Sequence, residues 1–274
     1  MSVTEATPRT PAATEPPAPG RTRGRRHGGT APMRGLLPLV ALLVIWQLAA
    51  DPASPYFPPP SRWFTETVPL FDDGVLLTAI GQTAVTVALG LLVATVLGAI
   101  LGTAVGSSRA FDRASGPTLE FLRVLPAAAL VPLAALLLGY TQQMKLAVVV
   151  LPALWPVLLT VRSARRAMSP VLLDVPRTLG LSRWARIRKI LVPSLIPGVL
   201  LGVRVSGPLA LIITLLVEIV TKIDGLGALL GTAQGNFKSA QVFGLLVIAG
   251  LLGFVVNWLV TRAETATHRR LAGD

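Results

Sequence analysis

Few side chains in this 274-residue sequence could do chemistry. Cysteine is absent, which excludes a disulfide framework, a thiolate metal site and a cysteine nucleophile. The two histidines, His27 and His268, lie in basic tails, so the apolar body holds no imidazole for metal or acid–base work. Within the fifth apolar stretch stand two charges, Arg204 and Glu218. Fourteen residues separate them, about 21 Å along a helix, so they face one side without reaching each other. No clustered acids or nucleophiles accompany them. The sequence therefore carries no catalytic set and no metal site, and it reads as a non-enzyme.

What must position Arg204 and Glu218 is a set of apolar helices. Hydrophobic residues make up 52% of the chain and charged ones 14%, about half the charge of an average soluble protein. A water-soluble globule of this composition would expose too much apolar surface, so the expected solvent is a lipid bilayer. A spanning helix needs about 20 mostly apolar residues. Six windows nearly free of charge fit: Leu36–Ala50, Gly74–Ser108, Val124–Met144, Leu146–Val161, Ile190–Val217 and Ser239–Thr261. With both termini in the cytoplasm, the inner segments hold twenty Lys and Arg. The outer ones hold four: Arg62, Lys145, Lys222 and Lys238. That asymmetry sets the orientation, and it accounts for the net charge of +12. No aromatic residues interleave with the arginines as nucleic-acid binding would require.

Residues 1–33, rich in Pro, Thr, Ala, Gly and Arg, read as a disordered basic cytoplasmic tail. A signal peptide ending at Leu48-Ala49-Ala50 is the alternative, but its removal would leave five spans. Residues 34–262 form the membrane domain, and 263–274 a cytoplasmic C-terminal tail. Between the first two windows, Trp63, Phe64 and Phe71 read as interfacial anchors. Gly98, Gly102 and Gly106 lie on one helix face and allow close packing, within one subunit or across a dimer.

The long inner loop, 163–193, is too long for a turn and too apolar for a linker. Ser169-Pro170 suits a helix start and Gly180 a helix end. Ser182 can cap a second short helix, Arg183–Val192, which Pro193 stops. Such a helix–turn–helix either rests on anionic headgroups or docks a soluble cytoplasmic partner.

At this loop the sequence resembles the inner-membrane permeases of ABC importers. Asp174-Val175-Pro176-Arg177-Thr178-Leu179-Gly180, followed by Ile190-Leu191-Val192-Pro193, is similar to their signature: E-A-A, three residues, Gly, nine residues, I-x-L-P. Further segments resemble the nitrate/sulfonate/taurine-type branch: Phe57-Pro58-Pro59-Pro60-Ser61, Leu125-Pro126, Val131-Pro132-Leu133, Gly202-Val203-Arg204, Glu218 and Gly225-Leu226-Gly227. The resemblance covers residues 36 to 262. It implies an all-α membrane protein of six transmembrane helices, with a cytoplasmic coupling helix-turn-helix between spans four and five. It also implies a permease subunit working as a homodimer. A separate cytoplasmic ATP-binding subunit would hold ATP and Mg, and an extracytoplasmic solute-binding protein would deliver a small anionic solute. No cofactor is expected on this chain, whose sequence lacks the G-x-x-x-x-G-K-[ST] phosphate loop. The resemblance places ATPase coupling on Asp174, Pro176, Arg177, Leu179, Gly180, Ser182 and Pro193.

The family's E-A-A is Asp174-Val175-Pro176 here. An interior proline costs a helix about 3 kcal/mol, so either the helix kinks or Asp174 caps a shortened one. Arg204 either snorkels to the inner interface or lines the translocation path as a cation for an oxyanion. Glu218 is either solvated near the outer end or part of an outer gate beside Gly225-Leu226-Gly227. Outside the family, a polytopic secondary transporter or a membrane scaffold without ATPase coupling is the alternative. The former would need matching interrupted helices in its two halves, and Pro193–Pro208 has no counterpart.

Overall fold

The structure, a computed structural model, describes residues 33–52, 54–169, 171–172 and 180–271. The described residues are helical apart from short connections, with no strand among them. Ten helices follow in order: α1 Met33–Ala49, α2 Pro60–Asp72, α3 Val75–Ser107, α4 Arg109–Val124 and α5 Ala127–Leu138. After them come α6 Gln142–Ala167, the single-turn α7 Arg183–Arg186, α8 Val192–Thr221, α9 Leu226–Gly235 and α10 Ser239–Leu271. The chain divides into two units, residues 1–44 and 45–274. The described part of the first is the start of α1; the packing described below is that of the second.

Helix α6 is the centre. Helix α3 packs along one side of it and α8 along the other, with backbone contact set by glycine. A Cβ at Gly102 would lie 2.5 Å from the Leu158 carbonyl oxygen, and one at Gly202 would lie 2.5 Å from the Val157 Cα. Gly98 and Gly106 face α6 in the same way, so the glycine ladder packs within one subunit. Between α6 and α8, the Ser206 hydroxyl donates to the Ala153 carbonyl at 2.6 Å. Met144, Val148, Val149, Ala153, Leu158, Ala210 and Val217 form the core between the three helices. The outer faces of α3 and α10 stay apolar and exposed, as bilayer-facing surfaces do.

Among the described residues, four helices are long and apolar enough to cross a membrane: Val75–Ser107, Gln142–Ala167, Arg183–Thr221 and Ser239–Thr267. The window Val124–Met144 is not one continuous helix. The chain bends by 89° between α4 and α5, where Pro126 follows Leu125. Helix α5 then ends at Gly139, whose φ of +67° suits glycine. Twelve residues reach about 18 Å, well short of a hydrocarbon core.

Three further expectations change. Pro193 does not stop a helix. Arg183–Thr221 runs as one helical element, because Ile187–Leu191 takes the wider π pattern just ahead of the proline. There the Val192 amide donates to the Ile187 carbonyl, five residues back, and Pro193 enters α8 in its first turn, where it needs no N–H. Trp63 is not an interfacial anchor: it is buried in α2, stacked on Phe243 at 5.1 Å and edge-on to Trp46 at 5.0 Å. Its indole donates to the Pro58 carbonyl at 3.1 Å. Phe64 and Phe71 do stay exposed. Lys145 is not in an outer loop but buried in the first turn of α6.

Candidate functional site

The first turns of α3 and α6 and the last turn of α8 meet in a buried polar network. Lys145 Nζ lies 3.1 Å from Glu218 Oε1, and neither side chain has any exposure. The Thr83 hydroxyl, from α3, donates to Glu218 Oε2 at 2.8 Å. The Gly227 amide donates to the same oxygen at 2.9 Å. Lys145 spends another proton on the Asp224 carbonyl at 2.9 Å, and the Leu226 amide donates to Thr83 Oγ1 at 2.8 Å. Two charges taken out of water are tolerable only when paired and hydrogen-bonded like this.

Local sequence explains how the turn reaches the carboxylate. Helix α8 ends at Lys222, in left-handed geometry with φ +59°. Gly225 follows at φ +153°, and a Cβ there would lie 2.2 Å from a Glu218 carboxylate oxygen. Only glycine lets the chain pass so close. Glu218 is therefore not solvated: it holds Gly225-Leu226-Gly227 against α3 and α6. The sequence offers Glu218 as unpaired. Its partner, 73 residues away, is missed because a lysine at the edge of an apolar window looks like a loop residue.

Arg204 belongs to a different place. Its side chain is 56% exposed and faces Glu264 on α10 at 3.5 Å. It meets neither Glu218 nor the buried network.

At the other end of the bundle, the expected coupling loop is described only in part. Asp174, Pro176, Arg177 and Leu179 lie outside the described residues. Gly180 takes left-handed geometry with φ +63°. The Ser182 hydroxyl caps α7, accepting from the Ala185 amide at 3.2 Å. Arg183, Arg186, Arg188 and Lys189 make this segment basic, and Pro193 opens α8 directly beyond it.

Beside the loop, Asp112 of α4 bridges Arg162 and Arg166 on α6. Helix α4 mixes five charged residues with apolar ones along 16 residues, and we read it as lying outside the spans. The hydrogen bond from Arg162, with the charges of both arginines, holds the Asp112 carboxyl below the usual carboxylate range against the upward push of burial. Nothing local in the sequence points to this pairing, whose partners lie 50 and 54 residues from Asp112. Among the described residues, no group of acids or histidines could hold a metal ion.

The family of inner-membrane components of binding-protein-dependent transport systems matches residues 94–273. Among curated relatives, the chain is 26% identical to SsuC of Bacillus subtilis, whose name assigns it to aliphatic sulfonates transport. That alignment covers 90% of this chain and 88% of the relative. The bicarbonate transport permease CmpB of Synechocystis is 29% identical, over 86% of this chain and 87% of its own. The nitrate import permease NrtB of Synechocystis is 24% identical, over 85% and 88%. Among solved structures, an inward-facing crystal form of the MetNI methionine ABC transporter shares the fold. Its TM-score is 0.60 at 16% identity, covering 70% of this chain and 96% of that one. With two thirds of its length inside the family's own domain, the chain belongs to the inner-membrane components of binding-protein-dependent transport systems, and it is a transport permease subunit.

Proposed function

We propose that this chain forms half of an importer's transmembrane channel, works as a homodimer, and is driven by a separate cytoplasmic ATP-binding subunit that carries ATP and Mg. The segment around Gly180 and Ser182 carries this reading. A left-handed glycine and a capped basic turn stand at the head of a 39-residue helical element, so a push on the turn is passed rigidly to a span. Asp174, Pro176, Arg177 and Leu179 complete the docking surface. An extracytoplasmic solute-binding protein loads the outer face.

Six spans fit the reading: the four long helices, α1 through its apolar stretch Leu37–Ala49, and α5 with its flanks. Both termini then lie in the cytoplasm, where the excess of Arg collects. Arg204, paired with Glu264, anchors the inner end of the fifth span. Glu218 and Lys145 fix the outer wall of the path. The names of the relatives, for sulfonates, bicarbonate and nitrate, support a small solute with an anionic group.

The test is co-purification with an ATP-binding subunit co-expressed with it. Two copies of each chain should co-elute, and only the assembly should hydrolyse ATP. Substantial turnover by the isolated chain would refute the division of labour.

A further inference from the structure

Helix α4 presents three different sides. Its 16 residues make it about 24 Å long. Asp112 and Leu119 face the bundle: Asp112 bridges Arg162 and Arg166, and Leu119 packs on the core. At about 3.6 residues per turn, Arg109, Arg113, Glu120 and Arg123 share a second side, and all four are exposed. Phe111, Ala114, Phe121 and Val124 share the third. That side is exposed too, Phe121 to 68% and Val124 to 74%, yet it holds no charge.

Geometry narrows what covers the apolar side. Ser108, in extended conformation, separates α4 from α3, so α4 does not continue that span. The charge-free α5 follows α4 at 89°. With α5 entering the hydrocarbon, α4 lies close to the plane of the membrane. A helix in that plane, with an apolar side next to a basic one, is built to seat at the headgroup boundary.

Charge favours lipid over protein. The Asp112 carboxylate is spent on α6. Among the described residues, Arg109, Arg113 and Arg123 meet no carboxylate. Arg113 turns its Nε onto the Arg109 carbonyl at 3.3 Å, which leaves its charge unbalanced. On this side Glu120 alone opposes the three. A second copy of the chain would bring the same arginines to the edge of a two-fold seam, where like charges resist contact. Anionic headgroups supply the missing counter-charge. Long arginine stems let the guanidiniums reach phosphates while the phenyl rings sit deeper.

We propose that α4 is a membrane-surface helix that gathers anionic phospholipid in the cytoplasmic leaflet. Phe111, Phe121 and Val124 enter the acyl region, and Arg109, Arg113 and Arg123 bind headgroup phosphates. Asp112 then ties the lipid-bound helix to the last turns of α6, ahead of the basic segment at Arg183, and holds that end of α6 at a fixed depth. The cytoplasmic placement rests on the topology proposed above; the lipid contact does not.

The chain has no cysteine, so Phe121→Cys, Val124→Cys and Glu120→Cys each introduce a sole thiol for a bimane label. Full-length variants are reconstituted in phosphatidylcholine vesicles. These contain a small fixed fraction of either phosphatidylglycerol or phosphatidylcholine with a nitroxide high on one acyl chain. The nitroxide quenches on contact, so the ratio of the two reports which lipid gathers at the label. At Phe121→Cys, phosphatidylglycerol should quench about threefold more than its neutral counterpart, and Val124→Cys should match. Glu120→Cys should escape both and stay open to aqueous iodide. Adding Arg109→Gln, Arg113→Gln and Arg123→Gln to Phe121→Cys should remove the preference while quenching by either lipid persists.

Equal quenching by the two lipids in the parent background would overturn the anionic site. Absence of quenching by either would overturn the membrane contact. Cross-linking of Phe121→Cys between copies, or a label buried only once the ATP-binding subunit is added, would also overturn it and name the protein that covers this side. An impermeant thiol reagent separates the lipid contact from the topology. Reaction of Glu120→Cys from outside sealed cells would overturn the cytoplasmic placement, whatever the lipid ratio.

Discussion

Lys145 and Glu218, 73 residues apart in sequence, form an ion pair 3.1 Å long with no solvent exposure on either side chain. It ties the start of α6 to the end of α8, and through Thr83 and the Gly227 amide it holds the turn into α9. Removing one member strands the other. Lys145→Met or Glu218→Gln alone should destabilise the detergent-purified protein by about 3–5 kcal/mol, read as a lowered temperature for loss of the monodisperse peak. The combined variant should recover more than half of that loss, because the stranded charge is then gone. Additive losses would show that the two residues act separately.

The pair also shows where sequence reading stopped. The apolar helices were legible because a charge-free window is a local property, as were the turn at Gly180 and the cap at Ser182. Lys145 looked like a loop residue because it borders a window, yet the same boundary is the first turn of α6. Arg162 and Arg166 fall among the Lys and Arg counted on the inner side, and nothing near Asp112 in sequence marks it as their partner. Pairing depends on which helices become neighbours, and here glycine contacts such as Gly102 on Leu158 decide that. Pro193 misled for another reason: a single residue predicts a break, whereas five residues of π geometry absorb it.

Asp112 gives a pH dependence with a definite sign. Its folded carboxyl titrates below the usual range because Arg162 and Arg166 stabilise the ionised form. Its contribution is therefore complete above the ordinary carboxylate value of about 4 and lost as pH falls through the lower folded value. Stability measured from pH 7 down to 3 should hold to about pH 5 and then decline. Asp112→Asn should be less stable at pH 7 and lack that part of the decline. An unchanged acid limb in the variant would show that the two arginines contribute nothing through Asp112.

Topology is testable with the same cysteine-free background. Cysteines at Ser61 and Gly235 should react with an impermeant thiol reagent from outside sealed cells. A cysteine at Ser182 should react only after the membrane is opened. Outside labelling at Ser182 would invert the inner loop and remove the basis for ATPase coupling.

Gly180 tests the coupling itself. Its φ of +63° is left-handed geometry, which costs a residue with a Cβ about 1–2 kcal/mol. Among the described residues, and leaving out its chain neighbours, nothing lies within 4 Å of where its Cβ would sit, so a larger side chain acts through the backbone rather than by collision. Gly180→Val should therefore redirect the chain before α7 while leaving the core of α3, α6 and α8 intact. Insertion and dimer formation should match the parent, and ATP-binding subunit capture or transport should fall. Ser182→Ala, which removes a cap worth roughly 0.5–2 kcal/mol, should act in the same direction more weakly. Gly180→Ala separates strain from bulk, because it carries most of the conformational cost with little added volume. If Gly180→Val transports at the parent rate with matched membrane levels, the turn rests on lipid headgroups and the coupling surface lies elsewhere.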